Sequence, residues 1–289
     1  MVTATQQRAA AEFLVAVYGT SQRRVSRVLG RARSTLRYGR RPRAGEDALI
    51  KAIRRLARRH PRFGYKRIHA CLRRQGWRIN HKRTRRLWIA LGLRRPLRRK
   101  KPRFRGKLGS SANSCVQQPA RFKNDVWTCD FIADRTAEGG TLKCLSLVDE
   151  YTRECLLLHV ARTMTGAEVR RQLGRVVGWR GAPTRLRSDN GSEFICEALA
   201  GWLPVAGTKG IPVAPASPWE NGFIESFHSR LRDEFLDREE FESVKDAQGK
   251  AKWWRREYNT HRPHSGIGYK TPKEFSEECD RGLHGRCCN

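Results

Sequence analysis

Three carboxylates stand in contexts that a solvated surface acid would not need. Asp130 lies in V-W-T-C-D-F-I, Asp189 opens the turn S-D-N-G-S-E-F, and Glu225 sits within S-P-W-E-N-G-F-I-E-S-F. Brought together, three such groups repel one another and raise their own pKa values, so hard divalent cations are the natural means of keeping them ionised.

The surrounding residues predict the elements that would position these acids. Val126, Thr128, Asp130 and Ile132 alternate with Trp127, Cys129 and Phe131, the period of a strand, and its apolar and β-branched residues place it centrally in a sheet. An ionised Asp there calls for a metal or a cation. A short strand at 184–188 delivers Asp189 to a turn-forming sequence that leads into a helix. Ser217 as cap and Pro218 as first helical residue predict a helix running to 235. At about 100° per residue, Asn221, Glu225 and Arg232 then share one stripe within roughly 40°, and Phe223, Phe227 and Leu231 form an apolar face.

Further strands are expected at 142–148, 154–160 and 211–213, and helices at 165–177 and 192–203. A meander followed by alternating strands and helices predicts an α/β fold with a mixed sheet flanked by helices. Beyond residue 237, a charged helix over 243–258 carries Trp253 and Trp254, read as core against the sheet rather than a base-stacking platform. Arg262, Pro263, His264 and Ser265 follow as a loop whose histidines could contact phosphate but receive no catalytic part.

W-T-C-D-F, S-D-N-G-S-E-F, S-P-W-E-N-G-F-I-E-S-F and the later Y-N-T-H-R-P-H-S-G-I-G-Y-K-T-P resemble the D-D-E transposases of the insertion-sequence-three family, relatives of retroviral integrases. The likeness runs from about residue 45 to residue 275. It implies an RNase H-like five-stranded mixed sheet, preceded by an all-α helix-turn-helix basic region. It also implies that Asp130, Asp189 and Glu225 bind two Mg²⁺ or Mn²⁺ ions, with Arg232 matching the family's basic residue seven positions after its Glu. Asn190 and Asn221 are expected to orient groups around these ligands. The chemistry implied is DNA cleavage at the ends of an insertion sequence, followed by strand transfer to target DNA. Likewise implied are a homo-oligomer on DNA and an upstream-frame partner protein, this chain being the downstream part of a frameshift product.

Composition agrees with a polyanionic partner. The formal charge is +32, and it is segregated: residues 1–123 hold 36 Lys and Arg against 3 acids, residues 124–289 hold 24 against 25. Such an excess in one half is an electrostatic footprint for nucleic acid. Three short helices broken by Pro61, Gly64 and Gly76 predict a helix-turn-helix module, whose third helix carries Lys82, Arg83, Arg85 and Arg86 as a recognition surface for DNA. A smaller helix-turn-helix is expected around 21–38.

The expected organisation is a basic segment at 1–44, the DNA-binding domain at 45–93, a basic linker at 94–123, the catalytic core at 124–236, and a C-terminal helix and tail at 237–289. The apolar run 13–18 is too short to span a membrane and lacks a signal-peptide layout, so the expected place is the cytosol, at the nucleoid. The nine cysteines make no disulfide framework, and adjacent Cys287 and Cys288 lack zinc-ligand spacing. The alternatives are a DNA-binding regulator that uses only the basic half, and an inactive transposase remnant.

Overall fold

The β-branched and aromatic residues around Asp130 are extended as expected, in β1 (Val126–Arg135). An antiparallel meander continues it through β2 (Thr141–Asp149) and β3 (Cys155–Ala161). On its other side β1 pairs in parallel with β4 (Arg185–Ser188), which pairs in parallel with β5 (Lys209–Pro212). The sheet order is β3-β2-β1-β4-β5, so Asp130 is on the middle strand of a mixed five-stranded sheet. The computed structural model describes residues 4–38, 45–94, 119–189, 191–212 and 222–283. The chain divides into two units, residues 1–52 and 53–289.

Strand alternation sorts the core into two layers. Trp127, Cys129, Leu145, Leu147 and Leu156 meet Val169, Leu173 and Val176 of α7 (Gly166–Arg180) on one face. On the other face Ile132, Cys144, Val148 and Val160 meet two further helices, α11 (Gly222–Glu234) and α12 (Val244–Thr260). Thr165 caps α7 and Ser243 caps α12, each accepting from a main-chain N–H three residues on.

Three expectations need correction. The single helix predicted over 192–203 is broken into α8 (Ser192–Ile195), α9 (Glu197–Ala200) and α10 (Trp202–Val205). Cys196 is extended, at φ −62° and ψ 145°, and so interrupts the helical ladder. On α11 the buried row is Ile224, Phe227 and Leu231, while Phe223 is half-buried beneath the Arg153 guanidinium, 4.2 Å from its ring centre. The third concerns the Trp pair: Trp254 is core, stacked on Phe235 and edge-on to Phe227, but Trp253 one residue earlier on α12 is 58 % exposed. The expected cap Ser217 and the first helical residues lie outside the described residues, as do Asn190 and Asn221.

In the larger unit, α5 (Tyr65–Arg74) and α6 (His81–Ala90) follow α4 (Glu46–Arg59), in whose length the division between the units falls. Leu49, Ile53 and Leu56 are buried along one side of α4, and Ile68, Leu72, Leu87 and Trp88 are buried on α5 and α6. Asn80 caps α6, its side chain accepting from Lys82 N. In the smaller unit the apolar run 13–18 ends α1 (Ala4–Tyr18), and α2 (Gln22–Val28) turns at Gly30, φ +58°, into α3 (Arg33–Arg37). After α12 the chain ends its described part with α13 (Pro272–Asp280), held by a Thr271 and Glu274 capping box. No helix among the described residues is long and apolar enough to cross a membrane.

Candidate active site

Asp130 points from β1 to the face covered by α11, because Cys129 and Phe131 on either side turn toward the α7 layer. Its cross-strand partner on β2 is Ser146, fully buried on the same face. Asp189 follows β4, the strand in parallel register with β1, where Thr128 stands beside Arg187; that register continued by two residues sets Asp189 alongside Asp130 in the middle of β1. Glu225 occupies the first turn of α11, where a carboxylate also meets the positive end of the helix dipole.

These acids act on one another. Burial is the largest influence raising the Asp130 carboxyl, to about 6; its bond from the Phe131 N–H opposes this, and the charges of Asp189 and Glu225 raise it further. The same crowding reaches behind the strand, where burial first, then Asp130 and Asp189, push the Cys129 thiol up. Among the described residues no lysine or arginine pairs with any of the three carboxylates. Nor do three acidic, histidine or cysteine side chains there form one closed ligand cluster. Each of the three is a hard oxygen group without a paired cation among the described residues, the type of group that suits a hard divalent cation.

Two other side chains, neither singled out by motif, bear on Asp130. His228 Nδ1 lies 3.7 Å from Asp130 Oδ2, and its Nε2 lies 2.8 Å from Ser146 Oγ. The Ser146 hydroxyl donates to the Asp130 carbonyl at 3.1 Å, which leaves its oxygen to accept from His228 Nε2–H. Burial, then Arg232, lower the His228 imidazolium to about 4, so the ring is neutral at pH 7 and does not serve as counter-charge. Lys143 on β2 pairs with Glu193 in the turn after Asp189 and lies over the Phe131 ring, 4.1 Å from its centre. The i, i+3 spacing of Glu225 and His228 on a helix was the one sequence signal for the imidazole; nothing local links Lys143 to Glu193.

Arg232 is exposed, and one guanidinium nitrogen donates to Ala133 O at 3.3 Å, which ties α11 to β1 beyond Asp130. Of the proposed recognition residues, Lys82, Arg85 and Arg86 are exposed on α6, whereas Arg83 is half-buried with a buried Nε.

Residues 120–218 and 207–272 each match a family described as Integrase core domain, and residues 44–101 match an HTH-like domain. A protein of insertion element IS407 from Burkholderia multivorans is 35 % identical over 256 residues, covering 89 % of this chain and 90 % of that one. The chain belongs to the insertion-sequence transposases. The corresponding IS476 protein of Xanthomonas euvesicatoria is 36 % identical across 89 % of the transposase and 72 % of its own length. A transposase for IS904 from Lactococcus lactis is 28 % identical over 80 % of the chain and 94 % of its own. The transposase acts in DNA transposition and integration, and the regulator reading is not favoured.

The excess charge of its basic half is partly used inside the molecule. Arg59 pairs with Glu257 at 3.2 Å, Arg62 with Asp233 at 3.6 Å and Arg67 with Glu234 at 3.4 Å, and Arg74 pairs with Glu274. Glu234 is the centre of this contact: it accepts two bonds from Arg262, at 2.6 and 2.7 Å, and both side chains are nearly sealed from solvent. One helix thus carries Glu225 at its start and, at its end, Asp233 and Glu234, which pair with Arg62 and Arg67.

Proposed function

We propose that Asp130, Asp189 and Glu225 are the catalytic acids of a D-D-E transposase and together hold two divalent ions, Mg²⁺ or Mn²⁺. The mutual charge of these acids at Asp130, with no basic side chain to offset it among the described residues, is what carries this assignment. When bound, the ions supply positive charge at the scissile phosphate and make the attacking water or 3′-hydroxyl more acidic.

The side chains supply placement. Support for this comes from β1 and β4, neighbouring parallel strands that carry Asp130 and lead into Asp189, and from α11, which packs on the Asp130 face and carries Glu225 in its first turn. His228 and Ser146 hold the Asp130 backbone so that its carboxylate keeps one direction. Arg232, anchored on Ala133 O, offers its remaining N–H groups to a phosphate near the acids. Lys82, Arg83, Arg85 and Arg86 of α6 would read or grip the element's ends, with Asn190 and Asn221 orienting groups at the site. In this reading residues 45–93 bind DNA, 124–236 cleave and join it, and a homo-oligomer assembles on paired ends, with an upstream-frame partner and a nucleoid location following from the same family likeness.

Asp130→Asn, Asp189→Asn and Glu225→Gln test the assignment in gel-shift and nicking assays on one preparation. End binding should persist while Mg²⁺-dependent nicking disappears. Nicking retained by any of the three would remove that acid from the mechanism.

A further inference from the structure

Beside α11, on a different side from Glu225 and His228, a cavity of about 350 Å³ opens between the DNA-binding helices and the core. Arg67, Arg153, Arg230 and Arg262 line it together with the hydroxyl-bearing Ser226 and Ser265, and among the described residues no acid does. Arg67 and Arg262 share a single carboxylate, Glu234. Among the described residues Arg153 and Arg230 have no hydrogen-bond or carboxylate partner. Positive charge gathered without compensation in a concave site is unfavourable by itself and is relieved by an anion.

The backbone points the same way. Arg153 has φ +64°, in the left-handed region that glycine takes freely and a long side chain resists. The turn that holds it is pinned by Asp149, whose carboxylate accepts from the main-chain N–H groups of Tyr151 and Thr152. That fixed turn lays the Arg153 guanidinium over Phe223 at the cavity wall, from a backbone position that a long side chain adopts at a cost. His264 lines the same cavity and is lowered well below the ordinary imidazole value by burial and then by the charges of Arg262, Arg67, Arg153 and Arg230.

We infer that this arginine-lined cavity is a phosphate subsite that holds a DNA backbone phosphate flanking the one being cut. Guanidinium forks match the paired oxygens of a phosphodiester. Ser226 follows Glu225 on α11, about 100° around the helix, so the cavity lies on the wall next to the one that carries the acid, within reach of the same DNA strand. The inference rests on the proposal that Glu225 is catalytic, and its test is chosen to fail separately.

The full chain would be compared with Arg153→Gln/Arg230→Gln, with Arg230→Gln alone as the variant least able to disturb folding, and with Arg170→Gln/Arg175→Gln on α7 as a control of equal charge. Binding of a labelled duplex of arbitrary sequence is measured from about 50 to 200 mM salt, and the slope of log affinity against log salt is read. The double variant should lose about 0.9 of slope per phosphate contact and bind about tenfold more weakly, with Arg230→Gln in between and the control near wild type. In the second arm, inorganic phosphate at matched ionic strength should raise the melting temperature of the wild type and control but not of the double variant. A slope equal to the control's, or a phosphate response equal to the wild type's, overturns the subsite. Glu225→Gln should lose nicking while keeping both readouts, so failure of the catalytic assignment is seen apart from failure of this one.

Discussion

His228 Nδ1 stands 3.7 Å from Asp130 Oδ2, while its other nitrogen is held by Ser146, the residue directly across the sheet from Asp130. A neutral imidazole in that place fixes a carboxylate's surroundings without cancelling its charge. Replacing His228 by Gln, or Ser146 by Ala, should therefore lower the nicking rate about 10- to 100-fold, the usual cost of removing support around a metal ligand. Duplex binding should stay unchanged, and parallel nicking and gel-shift measurements check both. A wild-type rate in both variants would leave the pair a packing feature only.

The raised Asp130 carboxyl makes the metal-free protein sensitive to pH. Its ordinary value is 3.8 and its folded value about 6, so between these the folded state binds the more protons and stability falls as pH rises. The groups facing it are Asp189, Glu225, the neutral His228 and the Phe131 N–H. Asp130→Asn should be more stable than wild type by about 2 kcal/mol above pH 6 and equal to it below about pH 4. Melting curves in chelator across that range measure it, and a constant difference at all pH values would contradict it.

Glu234 and Arg262 form the most enclosed ion pair between α11 and the chain beyond α12, with Arg67 as third partner. Burial pushes the Glu234 carboxyl up, but the Arg262 bonds outweigh it, aided by Arg67 and Arg230, and the net value lies below 4.5. The stability it contributes is present above 4.5 and is lost as pH falls through the lowered value. Glu234→Gln leaves Arg262 buried without its charge partner and should destabilise by about 3 to 5 kcal/mol at neutral pH. Glu257→Gln, whose partner Arg59 is 60 % exposed, should stay within about 1 kcal/mol. Urea unfolding of the two variants separates these cases.

Lys143 and Glu193 join β2 to the turn that begins with Asp189. The Lys143 hydrogen bond holds the Glu193 carboxyl below its usual range. Glu193→Gln should loosen that turn, raising the Mg²⁺ concentration needed for half-maximal nicking severalfold, while the melting temperature moves by less than about 2 °C. Unchanged metal dependence would show that the turn holds Asp189 by itself.

The chemistry of the site was legible because it is written locally. Asp130, Asp189 and Glu225 each sit in a short motif that resembles those of the family, which makes them the candidates, and the period-two alternation around Asp130 set its strand and face. Helices broken by Gly and Pro over 46–90 were legible for the same reason. The broken helix after Asp189 was not, because nothing in the composition of 192–203 forces Cys196 to be extended. The burial of Ile224 in place of Phe223 was also hidden, since it depends on how α11 rotates against the sheet.

By itself the sequence determined the motifs that make Asp130, Asp189 and Glu225 candidates, the period-two alternation of the first strand and the separation of charge between the two halves. The fold alone decided what each charge meets. Arg67 and Glu234 are 167 residues apart and Arg74 and Glu274 200 apart, yet they pair, while Arg153 and Arg230 face a cavity that no acid among the described residues lines. Coulomb energy depends on distance in space and on the solvent excluded between charges. Both are set by packing, which no order of residues along the chain spells out.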